Sequence, residues 1–117
     1  MVLNLLSNAI KFTKKGGSIN IYTSIERLTI FKHLDQHNQE QRVCILKVSV
    51  KDNGPGISKR DQKKLFKLFG KLKSTSQMNT NGIGLGLCIC KSICEVFGGM
   101  ISVKSKLNMG SIFTLYF

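Results

Sequence analysis

Two glycine pairs constrain this chain more than any other feature. Gly16-Gly17 and Gly98-Gly99 each close a stretch whose apolar residues recur at helical spacing, and each opens a stretch in which they alternate. Paired glycines supply the backbone freedom that ends a helix and admits a turn. The chain therefore reads as a helix followed by strands, twice over. From Met1 to Phe12, Leu3, Leu6 and Ile10 recur at helical spacing, with Leu5, Ala9 and Phe12 in a second stripe beside them. The pattern predicts a mostly buried helix. After the first glycine pair, Ile19, Ile21, Thr23 and Ile25 alternate with Asn20, Tyr22, Ser24 and Glu26, the period of a half-buried strand over Ser18–Glu26. After the second pair, two strands are expected at Met100–Ser105 and Ser111–Phe117, joined by the turn Lys106-Leu107-Asn108-Met109-Gly110.

Between these halves, His33–Arg42 is polar and aperiodic, and it reads as a solvated loop. A second strand, Val43–Lys51, puts Cys44, Leu46, Val48 and Val50 on one face, and Asp52 continues that parity. The carboxylate then aims inward, which is costly unless the site gives it a partner. The other reading is a strand that ends one residue early, with Asp52 opening a turn. Leu65, Phe66 and Phe69 give helical spacing to Lys59–Phe69, Lys73–Asn81 is a polar loop, and a further helix runs from about Gly84 to Phe97. This order predicts an α+β fold: a two-layer α/β sandwich with a mixed or antiparallel sheet covered on one face by about three helices. At 117 residues, the expectation is one domain spanning 1–117.

No run approaches the eighteen or more apolar residues of a membrane span. Asn4, Ser7 and Asn8 interrupt the apolar opening and no basic leader precedes it, so a cytosolic domain is expected. Cys44, Cys88, Cys90 and Cys94 form no CxxC pair, and neither His33 nor His37 stands at ligand spacing to them. Reduced core cysteines are the expectation. The net charge of +12 attracts polyanions, and Lys59, Arg60, Lys63, Lys64, Lys67, Lys71 and Lys73 crowd one segment. No aromatics interleave with these bases as in a single-strand groove, so no nucleic-acid partner is expected.

Three constellations carry chemistry. Asn4, Asn8 and Lys11 fall at i, i+4 and i+7 and form one polar stripe on an otherwise apolar helix. Such a stripe is either a solvated face or a pair of hard amide ligands for magnesium with a lysine for phosphate. Asp52-Asn53-Gly54-Pro55-Gly56-Ile57 sets two glycines and a proline after the inward acid. A turn explains them, and so does a base pocket, where the carboxylate accepts from an exocyclic amine and a small glycine admits a flat ring. Asn81-Gly82-Ile83-Gly84-Leu85-Gly86-Leu87 opens the last helix with glycines, where free N–H groups and the helix dipole favour phosphate. The ladder has neither dinucleotide-fold spacing nor the Gly-Lys-Ser/Thr of a P-loop. Serine/threonine kinase signatures are absent as well.

Taken in order, these segments resemble the catalytic domain of two-component histidine kinases, within the GHKL ATPase superfamily. Asn4 to Thr13 is similar to the family's N box and Asp52 to Ile57 to its G1 box. Phe66-Lys67-Leu68-Phe69 resembles the F box, and Gly82 to Leu87 the G2 box. The tail from Gly98, with Gly110-Ser111-Ile112-Phe113, follows the closing strands. The resemblance implies ATP and Mg2+ as ligand and cofactor. Asn8 would coordinate magnesium with help from Asn4, Lys11 would meet the phosphates, and Phe12 would lie along the adenine. Asp52 would read the adenine amine, with Gly54, Gly56 and Ile57 shaping the pocket. Phe66, Phe69 and Lys71 would belong to the lid side, and Lys71–Asn81 would be the ATP lid. Gly82, Ile83, Gly84, Leu85, Gly86 and Leu87 would form its hinge and present N–H groups to phosphate.

Hydrolytic members of the superfamily carry a Glu where this chain has Asn4, and that Glu activates water as a general base. Its replacement implies phosphoryl transfer to a protein nucleophile rather than hydrolysis. The F box departs from the family in Lys67-Leu68, where an acid and proline are common, and Lys71 stands where Arg is frequent. His33 and His37, in a polar stretch, are poor phosphoacceptors. The implied partners are therefore a phosphoacceptor histidine helix domain missing from this chain, a response-regulator receiver domain, and a second copy joined through the missing helices. The domain reads as truncated at its N-terminus, and the parent protein as one that membrane anchorage would suit. The alternatives are a nucleotide-binding module without turnover and a basic surface for nucleic acid.

Overall fold

A computed structural model describes residues 1–34, 37–66 and 85–117. The first helix, α1, covers Val2–Phe12 and ends at Thr13, after which the chain turns through Gly16 into β1, Ile19–Leu34. β2, His37–Asp52, runs back antiparallel to it, from Leu34 opposite His37 to Ile19 opposite Asp52. The short helix α2 is Lys59–Gln62, and α3 is Gly86–Val96. The final hairpin pairs β3, Met100–Lys106, with β4, Gly110–Tyr116. β4 docks against the last part of β2, giving the sheet order β1-β2-β4-β3 with every neighbour antiparallel. The expected α+β sandwich is what forms.

The core lies between one sheet face and the helices. Leu5 and Ala9 of α1, Leu65, and Cys94 of α3 meet Val50, Phe113 and Leu115, and Leu5, Val50, Cys94 and Leu115 are at most 1% exposed. Burial of a leucine or valine contributes about 1.5–3 kcal/mol, so this small cluster fixes α1 and α3 against β2, β4 and β3.

Three expectations need correction. The stripe of α1 that enters the core is Leu5 and Ala9, while Leu3 and Ile10 are 79% and 67% exposed. Both stripes are apolar, and the sheet selects the one containing Ala9, whose small side chain suits a close approach. Of the stretch expected to be a loop, His33 and Leu34 belong to β1 and His37 to Arg42 belong to β2, and residues 35 and 36 lie outside the described residues. A two-stranded ribbon bonds its own backbone groups whatever its side chains are, so polarity there marks solvent rather than a turn. Its distal half pairs only with itself, since β4 reaches β2 only from Lys47 onward apart from the Leu46–Phe117 backbone bonds. Cys44 and Leu46, expected inside, are exposed for that reason, whereas Cys90 and Cys94 are buried as expected. Among the described residues, the helix expected over Lys59–Phe69 shrinks to the four residues of α2. The loop expected over Lys73–Asn81 lies outside the described residues, and no described helix is long and apolar enough to cross a membrane.

Candidate nucleotide site

The inward reading of Asp52 holds. It ends β2 between Ile19 of β1 and Ser111 of β4, keeps the parity of Val48 and Val50, and is 7% exposed. Its Oδ1 accepts a 2.9 Å hydrogen bond from the Gly54 backbone N–H. A Cβ on Gly54 would lie 3.0 Å from that same Oδ1 and from the carbonyl oxygen of Phe12, so glycine lets the loop pass between the carboxylate and the end of α1. Gly56 takes φ +66, and a Cβ there would sit 2.0 Å from the Lys106 carbonyl oxygen. Both the left-handed backbone and the close approach exclude a side chain. Asn53 Oδ1 accepts from the Ser18 N–H at 2.8 Å, which ties the loop to the start of β1.

The opposite end of the site is built by α1 and α3. Asn4 donates its amide to the Cys90 Sγ at 3.6 Å and stands 3.8 Å from where a Cβ on Gly86 would be. One end of the polar stripe therefore lies at the first turn of α3, and the other end, at Phe12, abuts Gly54. Among the described residues no side chain caps the N-terminus of α3, and its first turn holds no acid, so its N–H groups and dipole would favour an anion there. Asn8 is half-buried one turn below Asn4. The Lys11 ammonium is 5.8 Å from the centroid of the Phe12 ring. Phe12 is half-buried and is not among the side chains packed on the core cluster, whereas Ile57, Phe66 and Leu87 are. Leu85 caps α3.

The structure thus brings Asn4, Phe12, Asp52, Gly54 and Gly86 to the ends of one helix. Phe69, Lys71, Gly82, Ile83 and Gly84 lie outside the described residues. Two observations bear on a Mg-nucleotide. Asn4 and Asn8, at i and i+4, share a face and offer hard amide oxygens. Among the described residues the Thr13 hydroxyl, at the end of α1, is buried without a hydrogen-bond partner, which an occupant able to bond it would relieve. The residues fit the group.

Sequence reasoning overlooked Ser105, Gln62 and Cys90. Ser105 stands in register with Ser111, which stands opposite Asp52, so a polar row crosses β3, β4 and β2 at the edge of an apolar face. Only strand pairing reveals that row. Burial pushes the Cys94 thiol above its ordinary value of 9.0, and the neighbouring Cys90 adds to the rise.

The sequence profile of a family described as histidine kinase-, DNA gyrase B-, and HSP90-like ATPase matches residues 1–117. The adaptive-response sensory kinase SasA of Prochlorococcus marinus (strain MIT 9313) is 37% identical over 115 residues, which is 98% of this chain and 27% of that protein. The sensor protein EvgS of Escherichia coli (strain K12) is 35% identical over 112 residues, 96% of this chain and 8% of that protein. Among solved structures, the catalytic domain of histidine kinase ThkA superposes with a TM-score of 0.69 at 30% identity, covering 98% of this chain and 62% of that one. This chain spans only 27% and 8% of the lengths of those two curated relatives.

Proposed function

We propose that this chain, which belongs to the family of histidine kinase-, DNA gyrase B- and HSP90-like ATPases, is the Mg-ATP-binding catalytic domain of a sensor histidine kinase. In that role it transfers the γ-phosphoryl group to a protein histidine. The observation that carries the reading is the buried Asp52 carboxylate, held by the Gly54 N–H beside the end of α1. A buried acid with no cationic partner among the described residues suits a neutral donor, such as the exocyclic amine of adenine. Gly54, Gly56 and Ile57 shape the wall beside it, and Phe12 lies along the ring.

Lys11, in the last turn of α1, meets the phosphates from beside Phe12, while at the other end Gly86 and the first turn of α3 present N–H groups to them. Gly82, Ile83, Gly84 and Lys71 are assigned to the same end by sequence. The Asn8 and Asn4 amide oxygens would hold magnesium, which would supply charge neutralisation for the phosphates. An amide at position 4 cannot take a proton from water, so the site positions the phosphoryl group for an incoming imidazole rather than for hydrolysis. The histidine comes from a phosphoacceptor helix domain, and the phosphoryl group passes on to a receiver domain. Pairing of two copies runs through those same helices.

Calorimetric titration of Mg-ATP into the chain, repeated with Asp52→Asn, tests the nucleotide site. Adding a separate phosphoacceptor helix domain and following radiolabelled phosphate tests the transfer. Binding that survives Asp52→Asn unchanged would refute the base-pocket assignment.

A further inference from the structure

The loop after Asp52 is held from behind by residues that belong to none of the sequence boxes. Gln62, the last residue of α2, donates through Nε2 to the Ile57 carbonyl at 2.7 Å and to the Ser105 carbonyl at 2.9 Å. Ser105 accepts from the Ile57 N–H at 2.8 Å through its hydroxyl, donates to the Gly110 carbonyl at 2.8 Å, and lies 3.0 Å from the Ser111 hydroxyl. The Asn108 N–H reaches the Pro55 carbonyl at 2.7 Å. Both backbone groups of Ile57 are thereby bonded to side chains rather than to a regular element.

We propose that Gln62 and Ser105 are positioning residues for base recognition, clasping the Asp52–Ile57 loop to the β3–β4 hairpin. The proposal rests on the reading of that loop as the base pocket. A loop of this length, two of whose residues are glycines, has many accessible conformations, and fixing one of them opposes backbone entropy. Without the clasp, Ile57 would leave an N–H and a carbonyl unpaired, and the loop would shift to find water for them. Gly54, whose N–H orients the Asp52 carboxylate, is three residues from that anchor. Gln62 is suited to the task because one primary amide carries two donor hydrogens, one for each carbonyl. Neither a glutamate nor a methionine of similar length can supply them.

The test compares two ligands of the same chain, Mg-ATP and Mg-bound inorganic triphosphate, the second having no base. Titrations are run on the wild type, Gln62→Met and Ser105→Ala, well below their unfolding temperatures. The expected result is that each variant weakens ATP about tenfold, the equivalent of one lost net hydrogen bond, while triphosphate binding stays within twofold. Ser105→Thr, which keeps the hydroxyl, should recover most of the ATP affinity lost in Ser105→Ala. A merely structural role would lower the unfolding midpoint and move both ligands together or neither, and either result overturns the proposal. Wild-type binding of triphosphate with no gain from the adenosine moiety would sink the base-pocket reading itself, and the two failures are thereby told apart.

Discussion

The two ends of the candidate site are built on opposite plans. At the Asp52 end, a buried carboxylate, a backbone loop and a hairpin are joined by hydrogen bonds of 2.7–2.9 Å. At the Asn4 end, a polar side chain of one helix faces the start of another, and Asn4 donates to the Cys90 thiol at 3.6 Å. The first end is preformed, because its groups are already bonded to one another. The second is more open, because its polar side chains stand on a helix surface beside the start of another helix. Preformed recognition depends little on salt, whereas attraction between exposed charges is screened within about 10 Å at 0.1 M ionic strength.

The comparison presumes that α1 is rigid, since it serves both ends, and the largest expected effect tests that. Leu5→Ala removes a side chain that is 1% exposed and should cost about 2–5 kcal/mol in denaturant unfolding. Leu3→Ala, at a position 79% exposed, should stay within about 0.5 kcal/mol. Equal losses at the two positions would mean that α1 is held by something other than its Leu5 and Ala9 stripe.

Next in size is Asp52→Asn. Hydrogen bonds to a charged group are worth about 1.5–3 kcal/mol, so ATP affinity should fall on the order of 10- to 100-fold, and by the same factor at low and high salt. Lys11→Ala should cost less, about threefold near physiological salt, and that loss should shrink further as salt is added. Titrations of both variants at two ionic strengths would distinguish preformed hydrogen bonding from attraction between exposed charges. A salt-sensitive Asp52 effect would break the contrast.

How far the sequence foretold these ends follows the same division. Asp52 was legible because strand parity extends one residue past the expected strand end at Lys51, and the Gly54 and Gly56 requirements follow from where the loop must pass. The Asn4 stripe was legible as a stripe, but its proximity to Cys90 needed the packing of α1 on α3. Which apolar stripe of α1 faces the sheet was not legible, since Leu3, Leu6 and Ile10 satisfy helical spacing as well as Leu5 and Ala9 do. The clasp was hidden because Gln62 and Ser105 are 43 positions apart and meet only once β3 and α2 are placed. The long ribbon was misread because polar residues signal solvent, and a self-paired ribbon has solvent on both faces.

The smallest effect concerns the seam under the open end. Cys90 and Cys94 lie between α1 and α3, with the Cys94 Sγ 3.6 Å from the Met1 sulfur, while Cys44 is exposed. Burial raises the Cys94 pKa, so this thiol is neutral and inert at neutral pH on two counts, its protonation and its lack of access. A group whose folded pKa is raised contributes stability that is fully present below its ordinary value of 9.0 and is lost as pH rises through the higher folded value. Alkylation followed by mass spectrometry at pH 8 should therefore label Cys44 first and Cys94 last. Labelling at Cys90 and Cys94 should report transient parting of α1 from α3. If the Asn4 end is open and closes on its ligand, Mg-ATP should slow that labelling while leaving Cys44 unchanged. Rapid labelling of Cys94 at pH 8, or protection of Cys44 instead, would show that the loose part of the molecule lies elsewhere than the seam between these helices.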